Sequence, residues 1–565
     1  MVQPLLNLIR IAPLKLGTRG PFRTYSSNAK SFVRPKSPII TTKRVLVVTA
    51  FTAAAYVYTD ETAKSAVHHL GVTSKRVGVV AQATIRCVYN YQQTLSADYE
   101  SEQDRSEALK KCHKLCAKVT LRALETNGGV FIKLGQHIAA LTYLLPPEWT
   151  ETMVPLQDKC PQSTLQEIEN LFKQDLKTDI QDMFSDFDVE PIGVASLAQV
   201  HVATLRSTGE KVAVKCQHPS LKEFVPLDVL LTQTVFNVVD VLFPEYPLTW
   251  LADELQNSIY VELDFTKEAE NARRTADYFS NYISETALRI PKVIVANKRI
   301  LIMEYIGGHR LDDLAYLDEN HISRAQVSSC LSHIFNNMIF TPNVGIHCDP
   351  HGGNLAIRHL ATSRGHHNFE IILYDHGLYR HPTTEMRRDY AKFWLALLDN
   401  DVANMKKYAM KFANIDEDQF PLFAAAITGR SIDAAQSPDI LKPRSDEEIR
   451  VMADALMEGS LLGDLMTFLC KVPRVVLLIL KTNDLTRHLD ECLQSPLSVE
   501  RTFLIMTQYC ARTVYEEVRQ NINEQYRKWS LTWIFKEVTA WWEYEKRKNQ
   551  LVLYDLGFWF KNRFL

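Results

Sequence analysis

The spacing of apolar positions changes several times along the chain, and each change predicts a new kind of element. From Lys64 to about Lys177 the pattern is helical. Leu109, Cys112, Leu115, Cys116 and Val119 recur at three and four residues, which places them on one helix face. Gly128-Gly129 interrupts that pattern, and a further helix starts at Phe131 and stops before Pro146-Pro147. Near residue 200 the pattern turns β-like. Val200–Leu205 and Lys211–Lys215 are short strands separated by Ser207-Thr208-Gly209-Glu210, a hairpin signal. One long helical stretch then carries both Glu262 and Glu268. Arg299-Ile300-Leu301-Ile302-Met303-Glu304-Tyr305 reads as another strand, and 385–565 reads as helices rich in Leu, Phe, Tyr and Trp.

The first sixty residues follow a different rule. Residues 1–44 hold nine Lys or Arg and no acid, with Leu5, Leu6, Leu8 and Ile9 at helical spacing. That is the composition of a mitochondrial transit peptide, with cleavage after Tyr25 in Arg23-Thr24-Tyr25-Ser26. Val45–Thr59 is uncharged and mostly apolar. At about 1.5 Å per residue it is short for a core of about 30 Å, but Ile39, Ile40 and snorkelling Lys43 and Arg44 extend its reach. Basic residues before it and Asp60-Glu61 after it predict a single inner-membrane span, with the body facing the intermembrane space.

Composition constrains the rest. At 565 residues, 46 % hydrophobic and a net charge of -2, the chain can build a large core, and nothing in it points to nucleic acid. The ten cysteines form no disulfide-like framework, so they are expected to be reduced. Cys112-His113 with Cys116 lacks a second paired cluster and reads as one side of a helix rather than a metal site. The aromatic and basic tail from Trp529 to Leu565 suits helix packing, with a membrane-surface contact as the other reading.

Six signals then occur in a meaningful order. Ile192-Gly193-Val194-Ala195-Ser196-Leu197-Ala198-Gln199-Val200 has the spacing of a phosphate loop, with alanine at the second and third glycine positions. Small residues there permit close approach to phosphates, and Val200 would cap an adenine. Val212-Ala213-Val214-Lys215 matches the strand whose lysine contacts α- and β-phosphates, and Glu268 is the expected partner of Lys215. Backbone groups of Glu304, Tyr305 and Ile306 form the expected adenine-binding hinge. His347-Cys348-Asp349-Pro350-His351-Gly352-Gly353-Asn354 supplies Asp349 to handle the proton of an attacking hydroxyl. Asn354, with Asp375 of Tyr374-Asp375-His376-Gly377, would hold Mg2+ on ATP.

These residues resemble the UbiB, or aarF-domain-containing, atypical kinase-like family over roughly 110–380, and within it a fungal mitochondrial branch implicated in coenzyme Q and lipid homeostasis. The most specific matches are Lys133-x-Gly135-Gln136, the alanine-rich loop, Glu262-x-Asp264 and the Asp349 loop. The resemblance implies an α+β, protein-kinase-like two-lobed fold. A helical N-terminal K-x-G-Q extension would pack over the active site, and a helical extension would close the C-terminus. It implies regulatory roles for Lys133, Gln136, Glu262 and Asp264, with the lysine pairing the two acids where a peptide would otherwise bind. It implies ATP and Mg2+ as cofactors, slow ATP turnover, and inner-membrane lipids or coenzyme Q precursors as partners; the alternative is a catalytically weak pseudokinase acting as a nucleotide-gated lipid-binding scaffold. His351 stands where kinases usually carry a lysine, and His376 stands in place of the Asp-Phe-Gly phenylalanine. The expected boundaries are 1–44 transit peptide, 45–59 span, 60–177 extension, 178–305 small lobe, 306–500 large lobe and 501–565 C-terminal helices.

Overall fold

Alternation along one strand sets the layering of the small lobe. The computed structural model describes residues 65–140, 145–157, 160, 162–243, 249–348, 352–364, 366–428, 472–494 and 499–564. The expected transit peptide, the span 45–59, Asp349 and His351 lie outside the described residues. Strand β4 (Lys211–Gln217) runs antiparallel between β3 (Ala198–Leu205) and β7 (Ile300–Glu304). Its Val212, Val214 and Cys216 join Ile300 and Ile302 in one apolar layer with Ile168 and Phe172 of a helix, Leu165–Asp175. Successive side chains in a strand point to opposite faces. Lys215 therefore faces the other way, with Leu301 and Met303, towards the helix Phe265–Phe279. The sheet order is β1-β3-β4-β7-β6, with β1 Phe184–Phe187, β6 Val293–Ala296 and a short β2, Gly193–Val194, paired to β3.

Helices precede this sheet and interrupt it. The N-terminal ones are α1 (Ser65–Ser96), α2 (Glu102–Asn127), α3 (Val130–Ala140) and α4 (Pro147–Met153), and α5 is the Leu165–Asp175 helix just described. Helix α2 starts where Ser101 Oγ accepts from the Asp104 N–H, and it ends at Gly128 and Gly129, both at positive φ. A side chain at Gly129 would be strained and would press on Leu221 at 3.1 Å. Cys112 and Cys116 lie buried along α2 beside Cys87 of α1, and the nine described cysteines are free thiols.

Between β4 and the Glu268 helix the chain inserts α6 (Leu221–Leu242) and α7 (Thr249–Glu262). Helix α6 is long and apolar enough to cross a membrane, by length and composition only. It buries Leu221, Val225, Leu227 and Phe236, however, and its Asp228 is ion-paired to Arg76 of α1, as in a core helix. The single helical stretch expected around Glu262 and Glu268 is two helices. Asp264 leaves helical geometry (φ -118°, ψ 90°), and its side chain accepts from the Thr266 N–H to cap α8, Phe265–Phe279. An aspartate at an N-cap competes with continued helix by satisfying an orphan donor.

In the large lobe, the buried helix α9 (Arg324–Phe340) packs near a four-stranded sheet ordered β5-β11-β10-β8 (Leu288–Arg289, His367–Leu373, Leu355–Arg364, His309–Arg310). A two-stranded ladder, β9 (Ile346–His347) with β12 (Tyr379–Arg380), brackets the cleft loops. Helices α10 (Thr384–Leu398), α11 (Val402–Ala413), α12 (Arg474–Cys492) and α13 (Val499–Gln525) complete this lobe. The tail is α14 (Leu531–Phe564), held to α13 by Arg519–Glu537 at 3.0 Å and by stacking of Tyr515 on Tyr544. Phe535, Val538, Trp541 and Trp542 of α14 remain exposed.

Candidate active site

Helix α8 presents an acid inside an apolar stripe. Phe265, Ala269, Ala272, Thr275 and Phe279 are buried at helical spacing, and Glu268 is buried among them. The face of β4 opposite its apolar layer brings Lys215 to it. Lys215 Nζ donates to Glu268 Oε1 at 2.6 Å and Oε2 at 2.8 Å, and lies 3.7 Å from Asp375 Oδ1. Burial disfavours the lysine's charge, but Asp375 and Glu268 outweigh it and hold the ammonium well above its usual range. Burial also pushes the Glu268 carboxyl up to about 7, against the pull of Lys215. Asp375 is the stronger acid. Burial alone would raise it, yet Lys215, His347 and the Gly377 N–H hold it well below the usual carboxylate range.

Two carboxylates thus share one ammonium, and the excess negative charge suits a divalent cation. The donor set fits Mg2+: Asn354 and Asp375 offer hard oxygens, and 38 % of the Asp375 side chain stays exposed despite its bonds. Asn354 ends a short 3-10 turn, Gly352–Asn354, and its carbonyl accepts from the Tyr374 N–H at 3.0 Å. That bond joins the two expected ligand segments side by side. His376 is buried behind them, with Nδ1 bonded to Tyr379 Oη and Nε2 near the Leu373 carbonyl. Burial, with His347 adding repulsion, pushes its imidazole down to about 3, so a neutral ring fills the phenylalanine position.

The loop 192–200 is a tight hairpin rather than a free glycine-rich flap. The Ile192 N–H donates to the Val200 carbonyl at 2.8 Å, and the Ala195 N–H to the Ala198 carbonyl at 2.7 Å. Gly193 pairs with Val200, Val194 with Gln199, and Val200 with Lys215, so the hairpin is in register with the lysine. Leu197 and Ala198 are buried, and Gln199 is wholly buried, its amide bonded to Ser163 and His201. Gln199 is therefore a support of the loop. Ser196 Oγ donates to Gln136 Oε1 at 3.3 Å, which ties the loop to α3.

At the hinge, several backbone groups are already engaged. The Glu304 N–H donates to the Lys292 carbonyl, the Tyr305 N–H to Lys211, and the Ile306 carbonyl accepts from Tyr374 Oη. The Glu304 carboxylate turns away to Arg289, with distances of 2.6 and 2.7 Å.

The K-x-G-Q helix crosses the cleft. Lys133 Nζ lies 2.8 Å from Glu262 Oε2, with both side chains nearly buried. Glu262 ends α7 while Asp264 is spent on capping α8, so the two expected acids have different work. Gly135 is where α3 meets the following turn. An added Cβ would lie 2.1 Å from Leu156 Cδ1, and the Leu156 carbonyl also accepts from Gln136 Nε2.

Sequence reasoning did not single out four supports of this site. His218 donates through Nε2 to the Ala195 carbonyl and accepts at Nδ1 from Ser163 Oγ, which anchors the hairpin from behind. Gln217 bridges the Leu263 and Lys298 carbonyls. His347 bonds the Asp375 carbonyl, and Asn271 of α8 donates to the His376 carbonyl. Asn271 and His347 stand within the quoted motifs and were legible there; His218 and Gln217 simply follow Lys215 and carry no motif.

Residues 155–409 match the ABC1 atypical kinase-like domain. The chain is 62 % identical over 547 residues to the ABC1 family protein MCP2 of Saccharomyces cerevisiae, covering 96 % of each. It is 36 % identical over 495 residues to the AarF domain-containing protein kinase 1 of Gallus gallus, covering 86 % of this chain and 90 % of that one. Among solved structures, the Rv3197–erythromycin complex of Mycobacterium tuberculosis aligns with a TM-score of 0.37 at 19 % identity, covering 69 % of this chain and 98 % of that chain. The chain belongs to the ABC1 atypical kinase-like family.

Proposed function

We propose that this chain binds Mg-ATP in the cleft between its two lobes and turns it over slowly, as an ATPase or a small-molecule or lipid kinase. The observation that carries this reading is Lys215 clamped between Glu268 and Asp375 directly behind the 192–200 hairpin. In this reading Lys215 holds the α- and β-phosphates, and the small residues of the hairpin cover them. Asn354 and Asp375 hold Mg2+, which would neutralise developing charge on the phosphates when bound. Asp349 receives or orients the acceptor's proton. The hinge at 304–306 meets the adenine edge. Basic, acid-free residues 1–44 and the apolar run 45–59 support a mitochondrial inner-membrane location, where the activity would serve coenzyme Q distribution and lipid balance.

A second reading is a nucleotide-gated lipid-binding scaffold. The nearly buried Lys133–Glu262 pair favours it, because it bridges helices at the cleft where a protein substrate would enter. Phosphate release from Mg-ATP by the full chain in liposomes separates the two. The catalytic reading expects release that falls at least about tenfold in Asp349→Asn, a general-base effect. Equal release from both proteins, with Mg-ATP binding retained, leaves the scaffold.

A further inference from the structure

Helix α3 has a second face, and it borders an apolar cavity. While Lys133 and Gln136 reach the cleft, Phe131, Leu134 and Ile138 line a partly open cavity of about 310 Å³ bordered also by α1, α2, α4, α6 and α7. That volume lies in the range of small-molecule sites, which are mostly apolar with a few placed polar groups. Protein interiors are otherwise close-packed, and an apolar space of this size gives water nothing to bond.

A relay of polar side chains interrupts the apolar wall, beside the hydroxyls of Thr84 and Thr232, which donate back to the Val80 and Asp228 carbonyls, and that of Thr120, paired with Cys87. Trp149 Nε1 donates to Tyr91 Oη at 3.0 Å, and Tyr91 Oη lies 2.6 Å from His113 Nδ1. The indole can only donate, so Tyr91 Oη accepts from it, and either the phenol or the imidazole supplies the proton between Oη and Nδ1. The neutral pair then has one donor left over, on His113 Nε2 or on Tyr91 Oη according to the tautomer. Burial raises the Tyr91 phenol and lowers the His113 imidazole, so both stay uncharged near neutral pH. None of the lining residues is Asp, Glu, Lys or Arg.

We propose that this cavity is a binding site for a neutral single-chain amphiphile, whose chain lies against Phe131, Leu134 and Phe236 and whose uncharged oxygen accepts from the donor that the Tyr91–His113 pair has left over. A charged head would be desolvated here without a counter-ion, whereas a bare hydrocarbon would leave that donor unused. The site stands apart from the nucleotide cleft and does not rest on ATP turnover.

The test uses the full chain, stripped of lipid, titrated with the neutral fluorophore N-phenyl-1-naphthylamine. Its emission is expected to rise saturably. 1-Oleoylglycerol is expected to displace it, and oleate, charged but of equal chain, to displace it about tenfold less well, as a desolvated charge demands. Ala123→Phe fills the cavity and is expected to weaken fluorophore binding about tenfold, by occupying its space. If Ala123→Phe does not fold, the milder Ala83→Leu on α1 reads the same way. His113→Leu is expected to keep fluorophore binding and to lose the advantage of 1-oleoylglycerol over hexadecane. Unchanged binding in a folded filled variant would move the probe elsewhere, for instance onto the exposed Trp541 and Trp542 of α14, and would overturn the proposal. Absence of binding to the wild-type chain, or displacement by oleate as strong as by 1-oleoylglycerol, would also overturn it.

Discussion

The two faces of α3 border opposite environments. On one side lies a cleft crowded with charge, where Lys133, Glu262, Lys215, Glu268 and Asp375 are held in close ion pairs. On the other lies a mostly apolar cavity, bordered by a neutral relay from Trp149 through Tyr91 to His113 and by no Asp, Glu, Lys or Arg among its lining residues. Ion pairs taken out of water are rarely a source of stability, because desolvation offsets their attraction. Apolar walls are, but only where they touch something. The cleft therefore spends stability to fix the positions of charges, and the cavity forgoes contacts to keep a volume open. Departures from dense, neutral packing concentrate at functional sites. Here two such departures sit back to back on an eleven-residue helix.

Removing Lys215 is the hardest test of that contrast. Lys215→Met leaves Glu268, 4 % exposed, and Asp375 as neighbouring carboxylates without their cation. The expected loss is about 3–5 kcal/mol, the usual result of stranding one half of a buried pair. It should appear in the urea midpoint together with loss of the Mg-ATP thermal shift. Lys215→Met with Glu268→Leu should recover much of the stability and none of the nucleotide response. If the double variant binds Mg-ATP, the pair is a packing feature and the comparison fails.

Gly135→Ala probes the helix that divides the two sites. A Cβ there would sit 2.1 Å from Leu156 Cδ1 and 3.0 Å from Leu124 Cδ1, so either α3 or these two buried leucine side chains must shift. Overpacking of this kind costs about 1–3 kcal/mol. Because Gln136 and Ser196 link α3 to the hairpin, the variant should also weaken Mg-ATP binding, measurable by calorimetry. Lower stability with unchanged nucleotide affinity would show that α3 is not a support of the loop.

Some of this is legible in the sequence alone, and the reasons differ by residue. The hairpin follows from a turn signal between two β-like runs, Lys215 from its place at the end of Val212-Ala213-Val214-Lys215, and the hinge strand from a short continuous apolar run, all of which are local signals. The partner of Lys215 could be chosen because a kinase-type lysine calls for an acid on the helical stretch that follows it, and the structure then shows that acid set in an apolar stripe. The break between α7 and α8 was missed because Glu262-Leu263-Asp264-Phe265 also fits one continuous helix. Only the capping of Thr266 by Asp264 decides it. His218 was silent for another reason: its bonds run to Ser163 and Ala195, far away in sequence, and tertiary partners leave no local pattern. The cavity was silent too, since an apolar residue that lines a space looks like one that fills it.

Lys133 and Glu262 offer a smaller effect. A double-mutant cycle of Lys133→Met and Glu262→Gln should give a coupling of about 0.5–3 kcal/mol in urea unfolding, typical of contacting residues. The cleft contributes the charges and the cavity face of α3 does not, so Leu134→Ala should show no coupling to Glu262→Gln. Coupling between those two would mean that the faces of α3 are not independent.

The smallest expected effect separates the two kinds of buried titratable group by sign. His218 is neutral in the fold, and burial lowers its imidazole below the ordinary 6.5. Its contribution to stability is therefore full above 6.5 and shrinks as pH falls below that value, because the unfolded chain takes up a proton that the folded one refuses. Glu268 runs the other way. Burial raises it from 4.5 to about 7, so its contribution is full below 4.5 and is lost as pH rises through about 7. Opposed slopes partly cancel in the wild-type chain. Other buried histidines, His113 and His376 among them, slope as His218 does, so the change in urea midpoint from about pH 7.5 to about pH 5.5 should be more favourable in His218→Gln than in the wild type by this one histidine's contribution. Glutamine can still donate to the Ala195 carbonyl, so hairpin geometry is kept. A midpoint that falls at the lower pH by the same amount in both proteins would mean that His218 is protonated in the fold, and that the hairpin is anchored by a charge rather than by a neutral ring.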